Sequence, residues 1–199
     1  VFALSNLVIQ AAINSLGAVV MAASTAAFTI EINIYVLLIA FGQAVTTFVS
    51  QNYGAGNLAR CRKATKTGFS VTMLVTVLLS ALACLFANEL LALFNDNPAV
   101  IEIGRIRIFY IIGFYFLCVF IEILSGALRG YGYSLPPALL MLVTICGVRI
   151  AWIYTAFAAK PTFTNIMISY PLSWFITAVL LIGIYAFYRK HIKPLALRL

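Results

Sequence analysis

The chain has 199 residues, of which 64% are hydrophobic and only 9% are charged, and its mean hydropathy is +1.07. Soluble domains carry about 25% charged residues. The composition therefore excludes a soluble globular protein and predicts an all-α integral membrane protein with room for about five or six spans. The net charge is +8, and eight of the 13 Lys and Arg lie in residues 60–66 and 189–199 without an interleaved row of aromatic residues. This distribution favours membrane orientation over nucleic-acid binding.

Apolar segments separated by turn residues predict six helices, and the first is too short to cross a bilayer. They cover residues 1-16 (partial), 18-49, 68-94, 103-128, 135-158 and 165-188, with a tail at 189-199. Gly17, the stretch from Asn95 to Pro98, and Lys160 with Pro161 are the turn signals between several of them. Pro171 is expected to kink or open the first turns of the last helix. Because the first segment is short and the chain opens on Val1, we expect a piece of a longer protein.

A polar stretch with two glycines, residues 51–57, lies between the second and third predicted spans. Lipid cannot solvate a bare turn, so this stretch is predicted to lie at a membrane surface. Four cations follow within residues 60–66, and short cationic loops stay cytoplasmic. With this side inside, the inner connections and the tail hold nine cations, whereas the outer connections hold Arg105, Arg107 and Lys160. The tail is therefore predicted to be cytoplasmic.

Three charged residues lie deep in the predicted spans: Glu31, Glu122 and Arg149. An uncompensated charge at the bilayer centre costs about 2.5–3.5 kcal/mol on insertion scales, so each is expected to face protein or a wet cavity. At 1.5 Å per residue, Glu122 lies about 10 Å and Arg149 about 20 Å from the cytoplasmic ends of adjacent antiparallel helices. This mismatch in height favours a water-bridged pair over a direct one.

The roles of these three residues stay open at the level of sequence. Arg149 is either purely structural or part of a functional pair. Glu122 either binds a proton or Na⁺ as a coupling site, or forms a structural ion pair. Glu31 either lines a cavity or ion site, or holds neighbouring helices together.

The second predicted helix carries further polar side chains that lipid would not tolerate. They are Thr25, Thr29, Asn33 and Gln43. At helical spacing the two threonines share a face with Ile32 or Glu31. Such a polar stripe is expected to line a cavity rather than to face lipid.

Gly126 and Gly130 are separated by three residues at the end of the fourth predicted span. This spacing of small residues allows close contact between helices. Because the sequence Arg129-Gly130-Tyr131-Gly132 follows at once, the two glycines are instead assigned to a tight turn.

Neither catalytic nor metal sites are predicted. His191, the single histidine, lies in the charged tail, and Asp96, the single aspartate, lies in an outer connection. The chain has no GxxxxGK[ST] phosphate loop, and its four cysteines lack metal-ligand spacing. These patterns exclude Ser/His and Cys/His catalysis and a self-contained ATP-driven pump. A carrier, a lipid-linked flippase and a structural bundle remain.

Four motifs occur in order along the chain. They are Gln51-Asn52-x-Gly54-Ala55-Gly56-Asn57 with Arg60 and Arg62, Gly126-x-Leu128-Arg129-Gly130-x-Gly132-x-Ser134, Cys146-Gly147-x-Arg149-Ile150-x-Trp152, and Tyr170-Pro171-x-Ser173-Trp174. Together they resemble the multidrug and toxic compound extrusion (MATE) family, in a bacterial branch, and the resemblance covers nearly the whole chain.

The resemblance implies a twelve-helix transporter with two six-helix lobes, of which this chain is the C-terminal lobe with its first helix truncated. It implies an antiporter of the bacterial plasma membrane, not an enzyme, that exports cationic or amphipathic organic compounds in exchange for Na⁺ or H⁺. No cofactor beyond that coupling ion is implied. The implied partners are the substrates, the lipid bilayer and the missing N-terminal lobe.

Two acidic positions of the family are not acidic in this chain. The aspartate that many members carry about one turn before Glu122 corresponds to Cys118, and the acidic residue of the first helix corresponds to Gln10 or Asn14. Glu122 is therefore the expected substitute on the same helix face, and a Na⁺ site there is one interpretation.

The number and sign of the buried charges distinguish the alternative functions. A flippase for lipid-linked oligosaccharide is the nearest alternative, but its cavity would carry several cations, and here Arg149 is the single buried cation beside two buried glutamates. In a structural subunit, buried charges and a polar stripe would be unexpected. A membrane enzyme lacks its catalytic groups.

Overall fold

The computed structural model describes residues 2–192, in which all regular structure is helical. The helices are α1 (Phe2–Asn14), α2 (Ala18–Gly54), α3 (Leu58–Leu85), α4 (Ala87–Ala92), α5 (Pro98–Gly130), α6 (Leu135–Phe157) and α7 (Phe163–His191). Five of them, α2, α3, α5, α6 and α7, are long and apolar enough to cross a membrane. The prediction of an all-α membrane protein is confirmed. The part of the predicted tail from residue 193 onward lies outside the described residues, and its cytoplasmic side stays a prediction.

The turns between helices use the residues that local chemistry favours. Gly17 precedes α2 with a φ of 102°, which an L side chain rarely adopts. Asn97 caps α5, because its side chain accepts a hydrogen bond from the backbone N–H of Ala99 at 3.0 Å, and Pro98 takes the first helical position. Thr162 caps α7 in the same way. These caps define where the long helices begin.

Several predicted helix boundaries were wrong because hydropathy marks only the part of a helix that lipid surrounds. Helix α2 runs to Gly54 rather than to residue 49, and α3 begins at Leu58 rather than at residue 68. The cations of residues 60–66 therefore lie on the first turns of a helix, not in a loop. At its other end α3 stops at Leu85, and the separate short helix α4 covers most of the predicted remainder up to residue 94. A helix satisfies its own backbone hydrogen bonds, so it continues through polar sequence beyond the bilayer core.

Helix α5 is the centre of the bundle and packs against α2, α3 and α7. It contains one 3₁₀ turn at Ile112–Phe114. It starts at Pro98 rather than at residue 103, which places Arg107 in the third turn of the helix instead of near its outer end. In the apolar 18-residue segment of α5, 61% of the residues are buried, whereas 22% are buried in the corresponding segments of α2 and α3. Arg107 and Glu122, which lie deeper in α5, therefore face protein, whereas Glu102 and Arg105 near its start are exposed.

Gly126 and Gly130 allow α2 and α5 to touch through their backbones. A Cβ atom on Gly126 would lie 2.5 Å from the carbonyl oxygen of Gly42, and one on Gly130 would lie 2.8 Å from that of Thr46. The assignment of these glycines to a tight turn was wrong, since both are helical. Gly132, with a φ of 88°, is the turn glycine.

Replacement of Gly126 by Ala is expected to destabilise the bundle by about 1–3 kcal/mol, because α2 and α5 must separate to admit the methyl group. The measurement is thermal unfolding of the purified protein in detergent. Gly183→Ala is the matched control, since Gly183 is also helical and a Cβ there meets nothing within 4 Å. Equal unfolding temperatures for the two variants would contradict the close helix contact.

Helices α6 and α7 form the other side of the bundle. Helix α6 contains two π-helical segments, Leu142–Cys146 and Ile153–Phe157, which flank the turns that carry Arg149. Helix α7 continues without a break through Pro171, so the proline does not open its first turns. The described part of α1 packs against α2, α6 and α7. In the part of the chain that the structure describes, the buried charged side chains come from α2, α5 and α6: they are Glu31, Arg107 and Arg149.

Candidate functional site

Glu122 lies where α5 crosses α2. Its backbone faces Gly42 of α2, where a Cβ atom would be 3.1 Å from the Glu122 carbonyl oxygen. Thr46, one turn further along α2, donates a hydrogen bond to the carbonyl oxygen of Gly126 at 3.0 Å and to that of Gly42 at 2.9 Å. The close crossing therefore holds the Glu122 carboxylate against the polar part of α2.

The Glu122 carboxylate has a hydrogen-bond donor but no cation bound to it. The hydroxyl of Tyr35 donates to Glu122 Oε1 at 2.9 Å. Within residues 2–192 the single ion pair lies elsewhere, between Arg107 and Glu31. The half-buried carboxyl opens to a cleft of about 510 Å³. The cleft is lined by Ile39, Gln43, Thr46, Thr47, Glu122 and Arg129.

Glu31 is held by a cation that the sequence analysis placed outside the membrane. Arg107 Nε donates to Glu31 Oε2 at 3.2 Å, and Arg107 Nη2 donates to Glu31 Oε1. Arg107 Nη1 also donates to the Ser24 hydroxyl at 2.5 Å, and the Tyr115 hydroxyl donates to the Glu31 carbonyl oxygen at 3.2 Å. Both charged residues are 5% exposed. The bidentate geometry and the burial make this a structural connection between α2 and α5.

Arg149 is enclosed by aromatic side chains rather than by a carboxylate. Its guanidinium lies 4.2 Å from the ring centroid of Tyr170 and 5.8 Å from that of Trp174. Its Nε donates to the Ser173 hydroxyl at 3.2 Å, and the residue is 7% exposed. All three contacts lie on α7, so the motif around Arg149 and the motif at Tyr170–Trp174 form one cluster. This cation–π cluster joins α6 to α7.

The predicted pair between Glu122 and Arg149 is not formed. Glu122 faces α2, whereas Arg149 faces α7, so a hydrogen bond to Tyr35 and stacking on Tyr170 take the place of the pair. The sequence analysis counted Arg107 as an outer cation because the late predicted start, at residue 103, placed it in the first turns of its helix, next to the membrane surface. The signal that it missed was a cation flanked on both sides by isoleucine, Ile106 and Ile108.

The polar stripe of α2 lies on the surface of the described bundle. Thr25, Thr29 and Asn33 are exposed, and each donates its side-chain hydrogen bond to the carbonyl oxygen four residues earlier. Gln43 and Thr47 are also exposed and continue the stripe at helical spacing. Glu31 is buried, and it lines a separate cavity of about 260 Å³ together with Thr25 and Arg107. Of the two predicted amides, Gln43 borders the Glu122 cleft and Asn33 does not.

The residues of the glycine motifs shape helix ends. Gln51, Asn52 and Gly54 complete α2, Gly56 has a φ of 74°, and the Asn57 side chain caps α3 by accepting from the Arg60 backbone N–H at 3.1 Å. The predicted turn is therefore confined to the end of this motif. In the second motif Arg129 borders the cleft, Gly130 contacts α2, and Gly132 forms the turn.

The described residues offer little to hold a metal ion. Among residues 2–192, no three His, Cys, Asp or Glu side chains lie close enough to form a metal-binding group. At the α2–α5 cleft, Glu122 is the one carboxylate among the lining side chains. A cation there would be held by one carboxylate together with neutral oxygen atoms.

The fold and these sites define an integral membrane protein of the transporter class. Helices of spanning length keep charged side chains in the interior, and one carboxylate without a cation opens to a cleft, an arrangement typical of substrate or ion pathways. The MatE family model matches residues 1–155. The chain therefore belongs to the MatE family, whose members are transporters and not enzymes. The family resemblance drawn from the four motifs is confirmed.

Related proteins match only in part. The chain is 30% identical over 107 residues to a probable multidrug resistance protein NorM of Thermotoga maritima, covering 54% of this chain and 23% of that protein. It is 23% identical over 154 residues to a probable multidrug resistance protein YoeA of Bacillus subtilis, covering 76% and 33%. A crystal structure of MATE in complex with MaD3S superposes with a TM-score of 0.84 at 17% identity, covering 90% of this chain and 40% of that one. The chain thus spans a quarter to a third of these curated relatives.

Proposed function

We propose that this chain forms one lobe of an antiporter that exports small organic cations across the bacterial plasma membrane in exchange for Na⁺ or H⁺. Relatives that carry the names of multidrug resistance proteins support drug export. The observation that carries the exchange is the Glu122 carboxylate, which is half-buried, open to a cleft and in no ion pair with any residue from 2 to 192. The flippase alternative finds no support among the names of these relatives.

In this mechanism Glu122 binds the two exchanged species in different states. A proton or Na⁺ neutralises the carboxylate in one conformation, and an organic cation competes for the charge in the other. A ligand shifts a conformational equilibrium only by its differential affinity for the two states. One carboxylate that favours a different ligand in each state therefore suffices. Tyr35 holds the carboxylate in position through its hydroxyl.

The polar stripe of α2 forms the wall of the substrate cavity in this proposal. Exposed threonine and amide side chains are costly against lipid, so they are expected to face water or a second lobe. The stripe and the Glu122 cleft share Gln43 and Thr47. The missing partner is therefore a second helical lobe opposite α2, with the C-terminal end of this chain in the cytoplasm.

The direct test is transport by the full-length protein reconstituted in liposomes. Ethidium, a planar organic cation, is followed by fluorescence while an inward Na⁺ gradient or an inward H⁺ gradient is imposed separately. We expect one gradient to drive ethidium against its concentration gradient, and the matching ionophore to stop that movement. If the folded protein transports no ethidium under the Na⁺ gradient and none under the H⁺ gradient, the proposed exchange is contradicted.

A further inference from the structure

The cations at the start of α3 point to two different sides of the helix. Arg60 and Lys63 border a groove between α2 and α3, which we call the α2–α3 groove. Arg62 and Lys66 border a second groove, together with Arg189 of α7. Lys63 lies between the two and lines both. The orientation of the helix in the membrane depends only on how many cations lie at this end. A binding site also depends on which residues lie next to those cations.

Apart from Arg60 and Lys63, the lining of the α2–α3 groove is mainly apolar, with Asn52 and Thr67 as its other polar members. The volume of the groove is about 420 Å³. Its lining on α3 follows one helix face, and on α2 it is mostly alanine, valine and phenylalanine. The apolar and small lining residues are Phe41, Ala44, Val45, Phe48, Ala64, Gly68 and Val71. From Arg60 to Val71 the groove extends about 16 Å along α3, at 1.5 Å per residue. A cationic end and a long apolar floor match the two parts of an amphiphile.

The α2–α3 groove is separate from the Glu122 cleft. Phe41, Ala44 and Phe48 lie on one side of α2, and Gln43 and Thr47 lie on the other side, beside the carboxylate. Phe48 is 59% exposed and Val71 is 44% exposed, so the groove presents uncovered apolar surface. Apolar exposure of this kind on a spanning helix suits contact with lipid.

We propose that the α2–α3 groove is a binding site for one phospholipid with an anionic headgroup. The headgroup phosphate lies between Arg60 and Lys63, and one acyl chain lies along Phe41, Ala44 and Val71. Basic pockets between spanning helices at a membrane surface bind anionic headgroups. A zwitterionic lipid has no net negative charge to offset the two cations, and a free anion would leave the apolar floor empty.

The test is lipid binding to the purified full-length protein in detergent, measured by native mass spectrometry. The probes are phosphatidylglycerol and phosphatidylcholine with identical acyl chains. We expect phosphatidylglycerol to bind more tightly. Arg60→Gln is expected to lower its affinity about fivefold, the loss for one cation near an anionic lipid surface. Arg60→Lys, which keeps the charge, is expected to retain most of the affinity.

Two further variants separate a site from diffuse attraction. Arg62→Gln removes the same charge two residues away, on the side of the other groove, and is the matched control. It is expected to have a smaller effect than Arg60→Gln. Ala44→Phe fills the apolar floor without a change in charge and is expected to weaken both lipids.

Four outcomes would overturn the proposal. They are equal binding of the two lipids, an effect of Arg62→Gln as large as that of Arg60→Gln, unchanged binding to Ala44→Phe, and displacement of the lipid by soluble glycerol phosphate. The second outcome would indicate diffuse electrostatic attraction. The last would indicate a site for free anions.

Discussion

Replacement of Glu122 by Gln is expected to reduce gradient-driven efflux to the level of membranes without the protein. The amide keeps the size of the side chain and an oxygen that accepts from the Tyr35 hydroxyl, so the α2–α5 crossing is preserved. What is lost is the negative charge that a proton, Na⁺ or an organic cation would neutralise. The measurement is ethidium transport under the gradient that drives the unaltered protein, at equal amounts of folded protein.

Glu102→Gln is the matched control for this experiment. Glu102 lies on the same helix, but its side chain is exposed, and we expect its replacement to leave efflux unchanged. Gradient-driven efflux by the Glu122→Gln variant equal to that of the control would remove Glu122 from the coupling mechanism. Loss of efflux in both variants would assign the effect to helix α5 in general rather than to the carboxylate in the cleft.

Replacement of Arg107 by Gln is expected to cost about 3–5 kcal/mol of stability, since it leaves the buried Glu31 carboxylate without its cation. The residue loses its charged hydrogen bonds to both carboxylate oxygens and to the Ser24 hydroxyl. Thermal unfolding in detergent measures the change. Arg105→Gln, which removes an exposed cation of the same helix, is expected to change the stability by less than about 0.5 kcal/mol.

A double variant distinguishes the ion pair from the rest of the arginine side chain. Glu31→Leu combined with Arg107→Met removes both charges and keeps most of the volume, and such replacements are often neutral or stabilising. We therefore expect the double variant to unfold at a higher temperature than Arg107→Gln. If both variants unfold at the same low temperature, packing of the arginine, and not charge compensation, is the main contribution.

The sequence of each single helix was enough to identify most of the charged residues that lie inside the bundle. Glu31, Glu122 and Arg149 stood out in the sequence because each interrupts an apolar run, and all three side chains lie inside or at the edge of the bundle. Arg107 did not stand out, because its position near a predicted helix end made solvent the simpler environment. Local sequence therefore identified which charges need a partner more reliably than it identified the partners.

The partners depend on two quantities that hydropathy does not contain. One is the depth of a residue along its helix, which requires the true helix start; the caps at Asn97 and Asn57 lie several residues before the apolar runs begin. The other is the rotation of each helix about its axis. The contacts of Gly126 and Gly130 with α2 set that rotation for α5, and they turn Glu122 towards Tyr35 rather than towards Arg149.

The sequence by itself determined the class of protein, the order of its spanning helices and the family, because composition, hydropathy and short motifs are properties of contiguous residues. Only the tertiary structure decided that Arg107 neutralises Glu31, that Arg149 stacks on Tyr170, and that Glu122 forms no ion pair within the part of the chain that the structure describes. These pairings join residues from different helices, some more than 70 positions apart. They follow from how closely two helix backbones approach and which faces they turn to each other. For α2 and α5, the contacts of Gly126 and Gly130 set both.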